Sequence, residues 1–187
     1  MKRIAKIIST AVLLSALAGC SSSSAKASST ASAKASEHTY SETADVTSLT
    51  FEETAFHGVS LSMPKEWSGR KSSSADEIDY SVKGTKDAVQ FIYTDNATAS
   101  EDMFKTLNTS MTWTPSTTEE KDINGIKAFH AAGTSTIFNV IQMDAATDAY
   151  LIQDGQGVTA ILFIQDPEGT VDQSPVFEKI LSSIKMK

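Results

Sequence analysis

Residues 150–164, Tyr150-Leu151-Ile152-Gln153-Asp154-Gly155-Gln156-Gly157-Val158-Thr159-Ala160-Ile161-Leu162-Phe163-Ile164, decide what kind of domain this chain forms. Val158 to Ile164 is apolar at every position but one and rich in β-branched and aromatic side chains. A run this short with that composition reads as a strand buried on both faces. Asp154-Gly155-Gln156-Gly157 is a turn signal, and Tyr150 and Ile152 before it alternate as a partner strand does. A strand, a tight turn and a buried strand make an antiparallel hairpin at the centre of a sheet.

Working outward, the same period of two recurs. Val59, Leu61 and Met63 share a face closed by Pro64; Ile78, Tyr80 and Val82 share another, ended by Gly84. Val89, Phe91 and Tyr93 form a third, ended by Asp95-Asn96, and Lys83-Gly84-Thr85-Lys86 reads as the turn between the last two. Asn124-Gly125 is a tight-hairpin signal, because both residues accept positive φ. It joins a strand near Glu119–Ile123 to one near Ile126–Ala131. Ile137 to Met143 is apolar on both sides and reads as a further central strand. Two stretches carry helical spacing instead. Thr98-x-x-Glu101 resembles a capping box, followed by Met103, Phe104, Leu107 and Met111 on one face and stopped by Pro115. Ser174-Pro175 opens the second, with Val176, Phe177, Ile180, Leu181 and Ile184 as its apolar stripe. The expected class is α+β, an antiparallel sheet covered by helices.

The N-terminus is of another kind. Met1 to Lys6 carries three cations, Ile7 to Ala16 is mostly apolar, and a polar tract follows. A span needs roughly 20 apolar residues, so this stretch reads as a targeting segment, a signal peptide over residues 1–19. Leu17-Ala18-Gly19-Cys20 resembles the lipobox of bacterial lipoproteins. That resemblance implies cleavage between Gly19 and Cys20 and a diacylglycerol on the Cys20 thiol. Two acyl chains at about 0.8 kcal/mol per buried methylene make a lasting anchor, which one chain does not. Residues 20–45 then read as the lipidated cysteine and a disordered tether. Residues 21–36 are only Ser, Ala, Thr and Lys, too polar to offset chain entropy. Residues 46–187 read as one globular domain. The expected location is the cell membrane, held by lipid on its extracytoplasmic face, with the membrane itself as the first partner.

Removing residues 1–19 takes away Lys2, Arg3 and Lys6 and no acid, leaving 13 basic against 23 acidic side chains, a formal charge of about −10. Phosphate backbones are bound through Lys and Arg clusters, so this balance disfavours nucleic acid. Cys20 is the single cysteine, so no internal disulfide is available and the core must supply stability.

No catalytic or cofactor motif stands out. His57 and His130 are the bases the domain offers; Gly58-Val59-Ser60-Leu61-Ser62 lacks the closing Gly of a nucleophile elbow. His130 in an alternating strand reads as structural, His57 beside Gly58 as an exposed turn residue, and His38 as a solvated tether residue. Asp166-Pro167-Glu168-Gly169-Thr170-Val171-Asp172 gathers oxygen ligands that suit Ca²⁺ but lacks EF-hand spacing, and reads as a solvated loop. Glu119-Glu120-x-Asp122 reads as a solvated strand start. Trp67 and Trp113 suit either a ligand groove or the edge of a core. No metal or cofactor is therefore assigned.

The order of elements resembles the PsbP-like fold. The residues carrying the likeness are Gly58-Val59-Ser60-Leu61-Ser62-Met63-Pro64-x-x-Trp67, the mid-domain Asn124-Gly125, and an apolar strand, Pro167 and a final helix ending Ile180-Leu181-Ser182-Ser183-Ile184. The resemblance covers most of residues 46–187 and implies an α/β/α sandwich. The family includes a photosystem II extrinsic subunit and many bacterial lipoproteins. It implies a binding or assembly module for a protein or small ligand, not an enzyme. Divalent metals bound by some members find no matching motif here. The alternative from another class is an envelope hydrolase built on a pair of carboxylates, which needs two acids converging in a pocket.

Overall fold

The computed structural model describes residues 38–71, 75–107, 112–138 and 142–187. The signal peptide, Gly19, Cys20 and the tether to residue 37 lie outside the described residues. Twelve strands and one α-helix follow in order: β1 Glu42–Thr43, β2 Phe51–Phe56, β3 Val59–Pro64, β4 Ser68–Lys71, β5 Glu77–Ser81, β6 Ala88–Thr94, β7 Thr112–Ile123, β8 Ile126–Phe138, β9 Gln142–Asp154, β10 Gly157–Ile164, β11 Val171–Asp172, helix α1 Ser174–Leu181 and β12 Lys185–Met186.

The quoted hairpin is the middle of the molecule. β10 pairs antiparallel with β9 on one side and β6 on the other, in a seven-stranded sheet of order β4-β5-β6-β10-β9-β8-β7. All eight residues of β10 are buried. Pairing on both edges satisfies the backbone, and both faces carry cores. On one face Val89, Phe91, Tyr150, Ile152, Ile161 and Phe163 pack under α1 and the three-stranded sheet β12-β3-β2. On the other, Ile92, Ala131, Ala149, Leu151, Ala160 and Leu162 form a second cluster. Each fully buried Leu or Ile contributes roughly 1.5–3 kcal/mol.

The helix-covered α+β sandwich is not what forms. The fold is mostly β, with one α-helix of eight residues among the described residues. The stretch read as the first helix yields only a 3-10 helix, Glu101–Lys105, and its N-cap, Ser100, makes no side-chain capping bond. A 3-10 turn is what a weakly capped segment adopts when one side chain anchors it, here Phe104, buried in the second core. Small Ala side chains on that face of the sheet let the chain lie close, so no long helix is needed to cover it. Pro115, read as a helix stop, sits instead in edge strand β7 beside a register shift between Pro115 and Thr117, a place where its missing N–H costs little. Opposite the bulge, a Cβ on Gly133 would collide with the Thr114 carbonyl and Pro115 Cα, so the two strands meet more closely than another residue would allow.

One further reading changes. Ile137–Met143 is not one strand: Ile137 closes on Met143 and Phe138 on Gln142 across the β8–β9 pair, and residues 139–141 lie outside the described residues. Ahead of Val46, β1 runs parallel to β11, Glu42 against Val171 and Thr43 against Asp172.

Candidate functional site

The Asn124-Gly125 turn, with both φ values positive at 56° and 84°, fixes the register of β7 on β8. Counting back from it sets Glu119 directly opposite His130, and the β8–β9 register sets His130 opposite Tyr150 with Asp148 diagonal to it. Three strands thus lay an acid, an imidazole and an acid in a row. His130 Nδ1 lies 3.0 Å from Glu119 Oε1 and Nε2 lies 2.9 Å from Asp148 Oδ1. The His130 ring stacks on Tyr150 at 4.6 Å between centroids, and Lys121 Nζ stands 5.6 Å from the centre of the Tyr150 ring.

Both ring nitrogens face carboxylate oxygens. Ionised carboxylates only accept, so both contacts are donated only by the imidazolium; the neutral ring has one N–H to give. The His130 side chain is 11 % exposed while Glu119 and Asp148 are 47 % and 40 % exposed. The ring is therefore a buried pin between two carboxylates that open to solvent. Burial first, then the charges of Asp148, Glu119 and Glu178, push the Tyr150 phenol up, so it stays neutral at all ordinary pH. A pair of carboxylates fixed on a sheet face can attract a basic group. The three side chains point at each other and not at a common point, and among the described residues no group of three or more His, Cys, Asp or Glu is placed to hold a metal ion.

The other candidates from the sequence take structural places. His57 stacks on Tyr93 at 3.7 Å with rings 10° from parallel, and its Nε2 is 3.3 Å from Asp76 Oδ1. Beside it, Gly58 N–H donates to Asp154 Oδ2 at 2.8 Å, which also accepts from Thr159 Oγ1; a Cβ on Gly58 would run into that carboxylate. This pins the β2–β3 turn to the central hairpin. The Asp166–Asp172 loop turns two of its carboxylates inward: Asp166 accepts from the Lys86 and Glu168 amides, and Asp172 from Ser174 N–H and Gln165, while Glu168 stays exposed beside Lys86. Trp67 is a core side chain set edge-on to Phe177 at 6.1 Å. Trp113 packs at the margin of the second core, opposite Ser135 in register. His38 is exposed but contacts the Gly169 carbonyl at 2.6 Å. Glu119 leaves the solvated-start reading to become part of the row, and Glu120 and Asp122 line a shallow recess of about 380 Å³ with Lys127, Phe129 and Gln153. Gly19 and Cys20 lie outside the described residues.

Among the acids, Asp87 is the one that burial holds above the usual carboxylate range, with Asp166 and Asp172 adding to the shift. It is 1 % exposed, and its Oδ1 accepts the Asp166 amide at 2.7 Å.

No protein-family model matches the sequence, and no curated protein matches it. Solved structures do. The chain is similar to the cyanobacterial PsbP protein of Synechocystis, with a TM-score of 0.50 and 10 % identity, over 83 % of this chain and 98 % of that one. It is also similar to a protein of Bacteroides thetaiotaomicron, with a TM-score of 0.47 and 10 % identity, over 72 % of this chain. Of that second protein it spans about half the length, 48 %. The likeness to the Synechocystis protein supports a PsbP-like fold, and at this identity it speaks to fold alone.

Proposed function

We propose that this chain is a membrane-anchored, extracytoplasmic binding module. A diacylated Cys20 holds it, and it engages a basic group of a protein or small ligand through Glu119 and Asp148. The observation that carries the reading is the Glu119–His130–Asp148 row. Two half-exposed carboxylates are locked by a buried ring on a rigid sheet, where a partner's cation meets preset acceptors with little ordering cost. The lipobox-like Leu17-Ala18-Gly19-Cys20 and the acidic balance of the mature chain favour the same reading.

Turnover by a carboxylate pair has less support. Glu119 and Asp148 are held apart by the His130 ring, each bonded to a different ring nitrogen. Asp87, the acid with the environment of a proton donor, is sealed by its own loop. The fold likeness to a PsbP protein is compatible with a module that does not turn over substrate.

A photo-reactive residue at Thr117, an exposed position two residues from Glu119 on the same face of β7, tests the binding surface in native membranes of the anchored protein. The same cross-linked species should form in repeated trials and disappear in the Glu119→Gln/Asp148→Asn double variant, with the circular dichroism unchanged. Random neighbours only, or products indifferent to the double variant, would remove the row from the function.

A further inference from the structure

The recess at Phe129 lies on the sheet face opposite the Glu119–His130–Asp148 row. Glu119 and Glu120 are successive residues of β7, and successive side chains of a strand point to opposite faces. The half-buried Phe129 ring, packed on the second core, forms its floor, with Ala99 beside it. One wall is preformed. Gln153 Oε1 accepts Ala99 N–H at 3.0 Å, and Gln153 Nε2 donates to the carbonyls of Ala97, Gly155 and Gly157 at 3.2, 3.1 and 2.8 Å. Those bonds engage both ends of the amide and fasten the segment 97–99 to the central hairpin.

The charged groups around the recess fall into two kinds. Asp122 Oδ1 accepts Gly125 N–H at 2.7 Å, within the turn, and Lys121 Nζ stands 5.6 Å from the Tyr150 ring on the other face. Glu120 and Lys127 are exposed, and neither makes a hydrogen bond or ion pair with any described residue. The register sets Glu120 opposite Phe129 and Lys127 opposite Asp122, so Glu120 and Lys127 are diagonal neighbours with the ring beside both. Diagonal neighbours in an antiparallel pair lie about 7–8 Å apart, close enough for one small molecule to meet both. A carboxylate, an ammonium and an aromatic ring therefore bound one small space. A plain amine would meet Glu120 and be repelled by Lys127, and a plain carboxylate the reverse. A wholly apolar molecule would strip water from both charges and give nothing back. A molecule with both charges and an apolar group engages all three.

We propose that this recess binds a free α-amino acid with an apolar side chain. Glu120 holds its ammonium, Lys127 its carboxylate, and the Phe129 ring its side chain. The volume of about 380 Å³ is at the small end of ligand clefts, enough for an amino acid and too little for a folded partner. Both ion pairs stand open to water, so each is weak and the affinity is modest. The fixed wall at Gln153 keeps the ordering cost of binding low. The site depends neither on Cys20 nor on the acid row of the opposite face.

Nuclear magnetic resonance titration of the full chain with L-phenylalanine tests it. Saturable shifts should appear at the Ala99 and Phe129 amides, with Ile161 of β10 unmoved. Glu120→Gln and Lys127→Gln replace exposed side chains, and each should raise the Kd by about fivefold, the upper end for an exposed ion pair. L-phenylalaninamide lacks the carboxylate, so it should bind more weakly and should not weaken further in Lys127→Gln. 3-Phenylpropionate lacks the ammonium and should likewise not weaken further in Glu120→Gln. Glycine, without the apolar group, should give no saturation. Shifts that stay linear up to the solubility limit of L-phenylalanine overturn the proposal, and so does a Kd that is unchanged in both variants. The Glu119→Gln/Asp148→Asn double variant should bind L-phenylalanine as the wild type does, so the recess stands or falls apart from the function proposed for the row. Loss of binding in that variant would place the ligand on the other face and overturn the recess.

Discussion

His130 joins Glu119 and Asp148 across three strands, and the strength of that joint is measurable. Hydrogen bonds to charged groups contribute roughly 1.5–3 kcal/mol each when shielded. These carboxylates are 47 % and 40 % exposed, and water screens them to about 1 kcal/mol in all. His130→Ala should therefore lower unfolding free energy by about 1 kcal/mol in urea titration, part of it from the lost stack on Tyr150. A double-mutant cycle with Glu119→Gln isolates the pair, and a coupling of about 0.5 kcal/mol is expected; zero coupling would show that the contact is incidental. Half of this row is written in the sequence. Glu119 and His130 are equidistant from the Asn124-Gly125 turn, so the tight hairpin alone brings them together. Asp148 is not, because the connection from β8 to β9 has no turn signature that sets a register. An offset of one residue there would move Asp148 to the other face of the sheet.

Phe104 explains why one face of the sheet needs so little cover. The segment from residue 98 has a capping box in sequence, yet among its described apolar positions only Phe104 is fully buried, and Met103 and Leu107 pack at the edge of the second core. If a 3-10 turn anchored by one ring closes that face, then Phe104→Ala should cost about 3–5 kcal/mol, as removal of a buried aromatic does. Met103→Ala should cost about 1 kcal/mol. Thermal or urea unfolding of both variants distinguishes this from an amphipathic helix, in which the two losses would be alike. The strands were more legible than the helices for a physical reason. Period-two alternation reports burial on each side of a sheet directly, whereas a helical stripe also needs a sustained capped segment. Thr106 and the polar residues after it do not provide one. The β1–β11 pair was missed because Glu42–Thr43 is polar throughout and is held by backbone bonds to Thr170 and Asp172, which carry no side-chain signature.

Across the chain as a whole, acids outnumber bases, and among the described residues Asp87, Asp154 and Asp166 are buried, Asp87 the most deeply. Asp87 binds its proton more tightly folded than unfolded, since burial raises its carboxyl. Its contribution to stability is complete below the unfolded value near pH 4 and is lost as pH rises through the folded value. Unfolding free energies of wild type and Asp87→Asn, measured over a pH series, should therefore converge in acid and separate toward neutrality, with the variant the more stable at the upper end. A difference that stays constant with pH would contradict the assignment. Among the described residues no helix is long and apolar enough to cross a membrane.

The proposed attachment to a membrane rests on the Cys20 thiol, and intact mass spectrometry of the full-length product made in a bacterium tests it most directly. The proposed function requires a polypeptide that begins at Cys20 and carries the added mass of a diacylglycerol. A chain that begins at another residue, or begins at Cys20 with an unmodified thiol, would contradict it.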